Sequence, residues 1–191
     1  MNKEENGKQA GRYALKSAKE SAYIAVFVAL LIAVQLAFSA IPVEFVTVFF
    51  IAYASVFRWK RAMAVATVFS LVRQLLFGFF PTVLVLYLLY FNAVALVFGK
   101  WQKPCNKAKN LVFTVLLSCV CTVGFTLLDN VLTPLWYGYA WAATKAYFKA
   151  SLFFLIPQTI GTGVSVALLF LPLTRVFALI GKGIIAQTPQ K

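Results

Sequence analysis

The stretch AYIAVFVALLIAVQLAFSA, residues 22–40, decides the fold. It runs for nineteen residues without a charge. At 1.5 Å per residue, that is about the length a helix needs to cross a hydrocarbon layer roughly 30 Å thick. Lipid offers no water to the backbone, so a run of this kind is helical. A basic lead precedes it (Lys3, Lys8, Arg12, Lys16, Lys19), and Ala37-Phe38-Ser39 looks like a small-residue cleavage site. The run is longer than the roughly 7–15 apolar residues of a signal-peptide core, which makes it an uncleaved first helix.

Five more apolar runs follow. Val43–Phe57 comes after the helix break at Ile41-Pro42 and stops at Arg58-Trp59-Lys60-Arg61. Ala62–Phe80 carries Arg73 and Gln74 and ends around Gly78 and Pro81. Thr82–Phe98 leads into the polar stretch Lys100–Asn110. Leu111–Leu128 ends at Asp129-Asn130, followed by an aromatic, amphipathic stretch, Val131–Ala150. Ser151–Leu173 is interrupted by Pro157, Gly161 and Gly163, a place for the helix to open. The runs are apolar throughout, whereas a membrane β-barrel needs alternation. The expected fold is an all-α integral membrane protein with six transmembrane helices and both termini cytoplasmic. It forms one membrane domain: a basic segment at 1–20, a six-helix bundle at 21–175 and a cytoplasmic tail at 176–191.

Composition agrees. Hydrophobic residues make up 62% of the 191, against about 45–50% in soluble domains. The net charge of +13 does not point to nucleic acid, because the basic residues sit in short segments between apolar runs, where they orient helices. With the N-terminus inside, fifteen of the eighteen Lys and Arg fall on the cytoplasmic side, leaving Arg73, Lys145 and Lys149 at or toward the outside. An odd helix count would spoil that split. A multi-pass protein of the cell (plasma) membrane is expected.

Several chemistries are thinly provided for. There is no histidine, the commonest general base and metal ligand. No phosphate-binding, dinucleotide, zinc-protease or nucleophile-elbow motif occurs. The three cysteines, Cys105, Cys119 and Cys121, are odd in number and lack metal-ligand spacing. No disulfide, metal, cofactor or enzymatic activity is expected.

The embedded polar residues are the candidate ligand site. A charge near the bilayer centre costs at least about 2.5–3.5 kcal/mol, so it is a functional hypothesis by default. Arg73 lies about twelve residues into its run, roughly 18 Å from the cytoplasmic side. Glu44 and Asp129 lie at outer helix ends, so all three share one layer. Arg73 either pairs with one of these carboxylates or meets a ligand. Tyr87, Asn92, Asn130 and Gln158 add polar groups, with interhelical hydrogen bonding as the blander role for the amides. Trp136, Tyr139 and Lys145 sit in the aromatic stretch, which is either an interface belt or a loop closing over a ligand ring.

Finally, Ser21, Ala25, Ala29, Ala33 and Ala37 recur every four residues and share one face of the first helix. Small residues let helices approach closely in lipid. A seam within the bundle explains one or two of them; a run over four turns suits a flat docking surface for a second protein.

Here the chain resembles the S component, the substrate-binding membrane subunit, of energy-coupling factor (ECF) vitamin transporters. The likeness rests on the Ala25/Ala29/Ala33/Ala37 ladder, on Ile41-Pro42-Val43-Glu44-Phe45-Val46-Thr47 leading into a short second helix, and on the Leu75-Leu76-Phe77-Gly78-Phe79-Phe80-Pro81 turn. It covers roughly Tyr23–Trp101 by motif and the rest by topology alone. It implies that the alanine face docks on a transmembrane coupling subunit driven by two cytoplasmic ATPases. It also implies that a vitamin or vitamin precursor binds toward the outer face, among helices four to six and the outer loops. The alternative is a stand-alone secondary transporter of a small organic solute, although no internal repeat of the kind common in such transporters is evident.

Overall fold

The computed structural model describes the backbone of residues 3–38, 45–101 and 108–185, with side chains over 18–38, 45–100 and 110–181. Within these residues every regular element is helical: α1 (Lys3–Ala37), α2 (Phe45–Phe77), α3 (Pro81–Trp101), α4 (Ala108–Tyr137) and α5 (Trp141–Ile185). Among the described residues, four stretches are long and apolar enough to cross a membrane: Ala18–Ala37, Pro81–Lys100, Asn110–Tyr137 and Trp141–Gly181. The chain is a multi-pass membrane protein. Its outward-facing side chains include Leu75, Leu135, Phe153, Leu168 and Leu179, all well exposed, as a lipid-facing surface requires.

The sequence leads one to expect six separate helices; the described residues form five. The second and third runs merge into α2, with a non-helical break at Arg58 (φ 67°, ψ 166°). The chain reverses there. Phe50 and Phe69 would stand about 28 Å apart in an unbroken helix, yet their rings lie 5.0 and 5.3 Å from the ring of Phe91. The arms before and after Arg58 therefore run side by side in opposite directions. A basic stretch of four residues reads as a loop, but a single residue in an unusual backbone region makes the turn.

Both arms of α2 occupy the centre of the molecule. Val48, Phe50, Ile51, Ala52 and Ala54 of the first arm, and Ala62, Val65, Ala66 and Phe69 of the second, are fully buried. Around them pack Phe27, Val28, Leu31 and Ile32 of α1, Tyr90, Phe91, Val94 and Phe98 of α3, and Val166, Phe170 and Phe177 of α5. Gly99 of α3 lies so near the break that a Cβ there would stand 2.5 Å from the backbone of Trp59. Glycine is what lets α3 close on the turn.

Two other boundaries differ from expectation. The aromatic stretch 131–150 is not a separate element: α4 runs to Tyr137, and α5 begins at Trp141. Gly138, at φ 62°, ends α4, and the Tyr139 N–H donates to the Pro134 carbonyl at 3.0 Å, a glycine-terminated helix cap. The sixth run does not open at Pro157, Gly161 and Gly163. Instead α5 continues through Pro157 and Pro172 to Ile185, taking in much of the expected basic tail. Neighbouring helices and side chains shelter the backbone groups that a proline frees in a membrane helix.

The ends of the bundle differ in charge. At one end Arg61 pairs with Glu20 at 2.7 Å, and Lys60 and Lys100 stand over Trp59 at 5.6 and 5.3 Å. Phe38 and Phe45, whose rings are 4.3 Å apart, mark the other end with the turns at Gly78 and Gly138.

Candidate ligand site and docking face

Arg73 sits one turn before the end of α2 at Phe77, near the turn end of the bundle. Its guanidinium lies 4.3 Å over the ring of Tyr87 and 5.2 Å from that of Phe77. The Tyr87 ring in turn meets Phe69, Phe91 and Phe125 at 5.4–6.3 Å. The cation thus stands on an aromatic floor built from α2, α3 and α4. The Arg73 Nε is buried without a hydrogen-bond partner, and among the described residues no carboxylate pairs with the guanidinium. Glu44, the other expected member of this layer, lies outside the described residues.

Of the partners the sequence left open for Arg73, Asp129 is engaged elsewhere. Asp129 accepts hydrogen bonds from the Tyr147 and Thr133 hydroxyls, each at 2.7 Å. The Tyr147 bond ties the end of α4 to the start of α5, the Thr133 bond lies within α4, and between them they engage both carboxylate oxygens. Asn130 beside it donates to Ser151 Oγ at 2.6 Å, while its own Oδ1 is buried without a partner. Trp136 and Tyr139 are exposed around the α4–α5 turn, with Tyr139 6.1 Å from both Tyr137 and Tyr147. Lys145 is exposed too, 5.0 Å over the Trp141 ring. These groups share one end with Arg73, but no contact joins them to it among the described residues.

Asn92 donates to its own helix at Leu88, leaving Oδ1 buried and unpartnered. Gln158 is half-buried on α5, and its carbonyl accepts from Thr162. Gln74, next to Arg73, accepts the Phe80 N–H at 3.0 Å, which shapes the turn where Gly78 adopts φ 97° and Pro81 begins α3. Its Nε2 and the Gln35 Oε1 are further buried polar atoms without partners. Gln35 on α1, Gln74 on α2, Asn92 on α3 and Asn130 on α4 thus each keep a buried polar atom without a hydrogen-bond partner.

One polar row escaped the sequence reading. Thr114, Ser118, Thr122, Thr126 and Asn130 recur every four residues on α4 and are all buried. They face α5, where Thr122 meets Thr162 at 3.2 Å and the Cys119 thiol donates to the Thr159 carbonyl at 3.7 Å. The four hydroxyls also bond back to their own helix. The spacing of four was available as a signal, but the hydroxyls disappear in an apolar run when only hydropathy is read.

On α1 the two faces are opposite in character. Phe27, Val28, Leu31, Ile32 and Val34 are buried, whereas Ala25, Ala29, Ala33 and Ala37 are all exposed. The alanine ladder is therefore not a seam within this bundle. Beside it, Tyr23, Phe27, Tyr53, Phe57 and Phe177 line an apolar groove of about 120 Å³, closed by the Glu20–Arg61 pair. None of the expected ligand residues borders that groove.

No family model, no curated protein and no solved structure matches this chain.

Proposed function

We propose that this chain is the substrate-capture subunit of an ECF-type importer. In this reading both arms of α2 cross the membrane and give six spans, with the basic end facing the cytoplasm of the cell (plasma) membrane. A vitamin or vitamin precursor binds at the opposite end, near Arg73, Tyr87 and the α4–α5 turn. A transmembrane coupling subunit, powered by two cytoplasmic ATPases, then drives release inside.

The observation that carries the reading is the exposure of Ala25, Ala29, Ala33 and Ala37 on a helix whose other face is buried. In lipid a leucine is as well solvated as an alanine, so hydropathy does not account for a run of small side chains pointing outward. A flat face matters when another helix must pack closely against it or slide along it. The short, sheltered arms of α2 fit the same picture, because a chain that binds and hands over one small molecule needs no continuous pore.

The experiment is a double substitution, Ala29→Leu with Ala33→Leu, co-expressed with a coupling subunit and its ATPases. Recovery of the complex falls roughly tenfold or more, about 1.4 kcal/mol of docking energy. The thermal stability of the isolated subunit is unchanged, since these side chains face outward. Unimpaired co-purification and uptake would remove the docking proposal. Uptake by the chain alone in liposomes, driven by an ion gradient, would replace it with a stand-alone transporter.

A further inference from the structure

We infer that the captured compound is a small organic anion, and that Arg73 receives its carboxylate or phosphate. The inference rests on the capture reading above and names the substrate class of that site.

The argument begins with the supply of negative charge. The chain has five acidic residues, Glu4, Glu5, Glu20, Glu44 and Asp129. Glu20 is committed to Arg61 at the opposite end of the bundle. Glu4 and Glu5 lie in the first turn of α1, about 22 Å farther along that helix from Glu20. Asp129 is held by Tyr147 and Thr133. Among the described residues, Arg73 therefore has no counter-charge.

The surroundings of Arg73 do not make up for this. Two aromatic faces attract the guanidinium but neutralise only part of its charge. Nε is buried and unpartnered, and a buried guanidinium N–H calls for an oxygen acceptor. The planar fork of the guanidinium matches the paired oxygens of a carboxylate or phosphate, which form short, charge-assisted bonds with it. The Tyr87 ring beneath the guanidinium is braced by Phe69, Phe91 and Phe125, which fixes the platform on which the cation stands.

The test uses the purified full chain in lipid nanodiscs, titrated with anions and their neutral counterparts: nicotinate and nicotinamide, biotin and biotinamide, pyridoxal 5′-phosphate and pyridoxal, pantothenate and pantothenol. The readout is the shift in melting temperature across the titration. At least one anion stabilises the wild-type chain at roughly tenfold lower concentration than its neutral counterpart, the size of one charge-assisted contact. R73Q abolishes that difference, and R73K, which keeps the charge but loses the fork, recovers part of it. If R73Q does not fold, the wild-type comparison still decides the anion class, and R73K decides the role of Arg73: an anion preference undiminished in R73K overturns it.

Stabilisation by neutral compounds equal to that by anions would overturn the anion assignment and leave the capture reading standing. No stabilisation by any member of the panel would count against both. A third outcome concerns Glu44: if E44Q lowers the melting temperature of the unliganded chain as much as R73Q does, and the anion's effect survives in R73Q, then Arg73 is an internal ion-pair member and the assignment is wrong.

Discussion

At the scale of single residues, two positions around the α2 reversal set what the rest of the bundle can do. Arg58 adopts a backbone conformation that glycine favours, at a cost on the order of 1–3 kcal/mol. The turn persists because the packing on both sides over-determines it. Gly99 is one of those determinants. Gly99→Ala puts a methyl group within 2.5 Å of the Trp59 backbone, so α3 must move away from the turn. Thermal unfolding in detergent shows a loss of about 1–3 kcal/mol, the usual cost of overpacking; an unchanged melting point would mean that α3 does not close on this turn. The glycine was visible in the sequence, but its partner was not. Nothing in the string Phe98-Gly99-Lys100 says that Trp59 lies against it. Likewise Asp129 was legible as a carboxylate at an outer helix end, while its tie to Tyr147 depended on how α4 and α5 face each other.

At the scale of elements, α1 and α4 show the same spacing put to different uses. Both carry small or hydroxylated residues every fourth position. On α1 the row faces outward; on α4 it faces α5, where Gly163 brings the helices close enough that a Cβ would lie 3.2 Å from Cys119 Sγ. Thr122 and Thr162 join across that seam. Their coupling is small, because each hydroxyl also bonds to a carbonyl of its own helix. A double-mutant cycle of Thr122→Val and Thr162→Val, followed by unfolding in SDS, yields a coupling of roughly 0.6 kcal/mol, the average for such pairs in membranes. A value well above 2 kcal/mol would show that the seam depends on this bond rather than on close packing. Periodicity alone could not separate the two uses, since the sequence states a spacing and not a neighbour.

At the scale of the whole molecule, the question is how many times the chain crosses and which end faces the cytoplasm. Single cysteines introduced into a cysteine-free variant at Lys60 and at Tyr139 report the two ends. In intact cells a membrane-impermeant maleimide labels the position-139 cysteine, and the position-60 cysteine reacts only after the membrane is opened. Labelling of both from outside would show that the arms of α2 do not form two crossings. The charge asymmetry behind this prediction is read directly from sequence. That Arg58, Lys60, Arg61 and Lys100 gather at one end follows from the packing of Trp59 against Gly99 and of Arg61 against Glu20.

The sequence by itself determined the solvent and the building material. Apolar runs this long cannot be dissolved in water, and in lipid they must close their own hydrogen bonds, so a multi-pass helical protein follows from composition and run length. It also determined which residues were candidates for chemistry, because embedded polar side chains are few and costly. Tertiary structure decided how those candidates are employed. Packing turned the alanine face outward, gave Asp129 to Tyr147, and left Arg73 on an aromatic floor without a carboxylate among the described residues. It also reversed the chain at one arginine, a turn with no local signature, because the energy that holds it comes from α3 packed against both arms of α2.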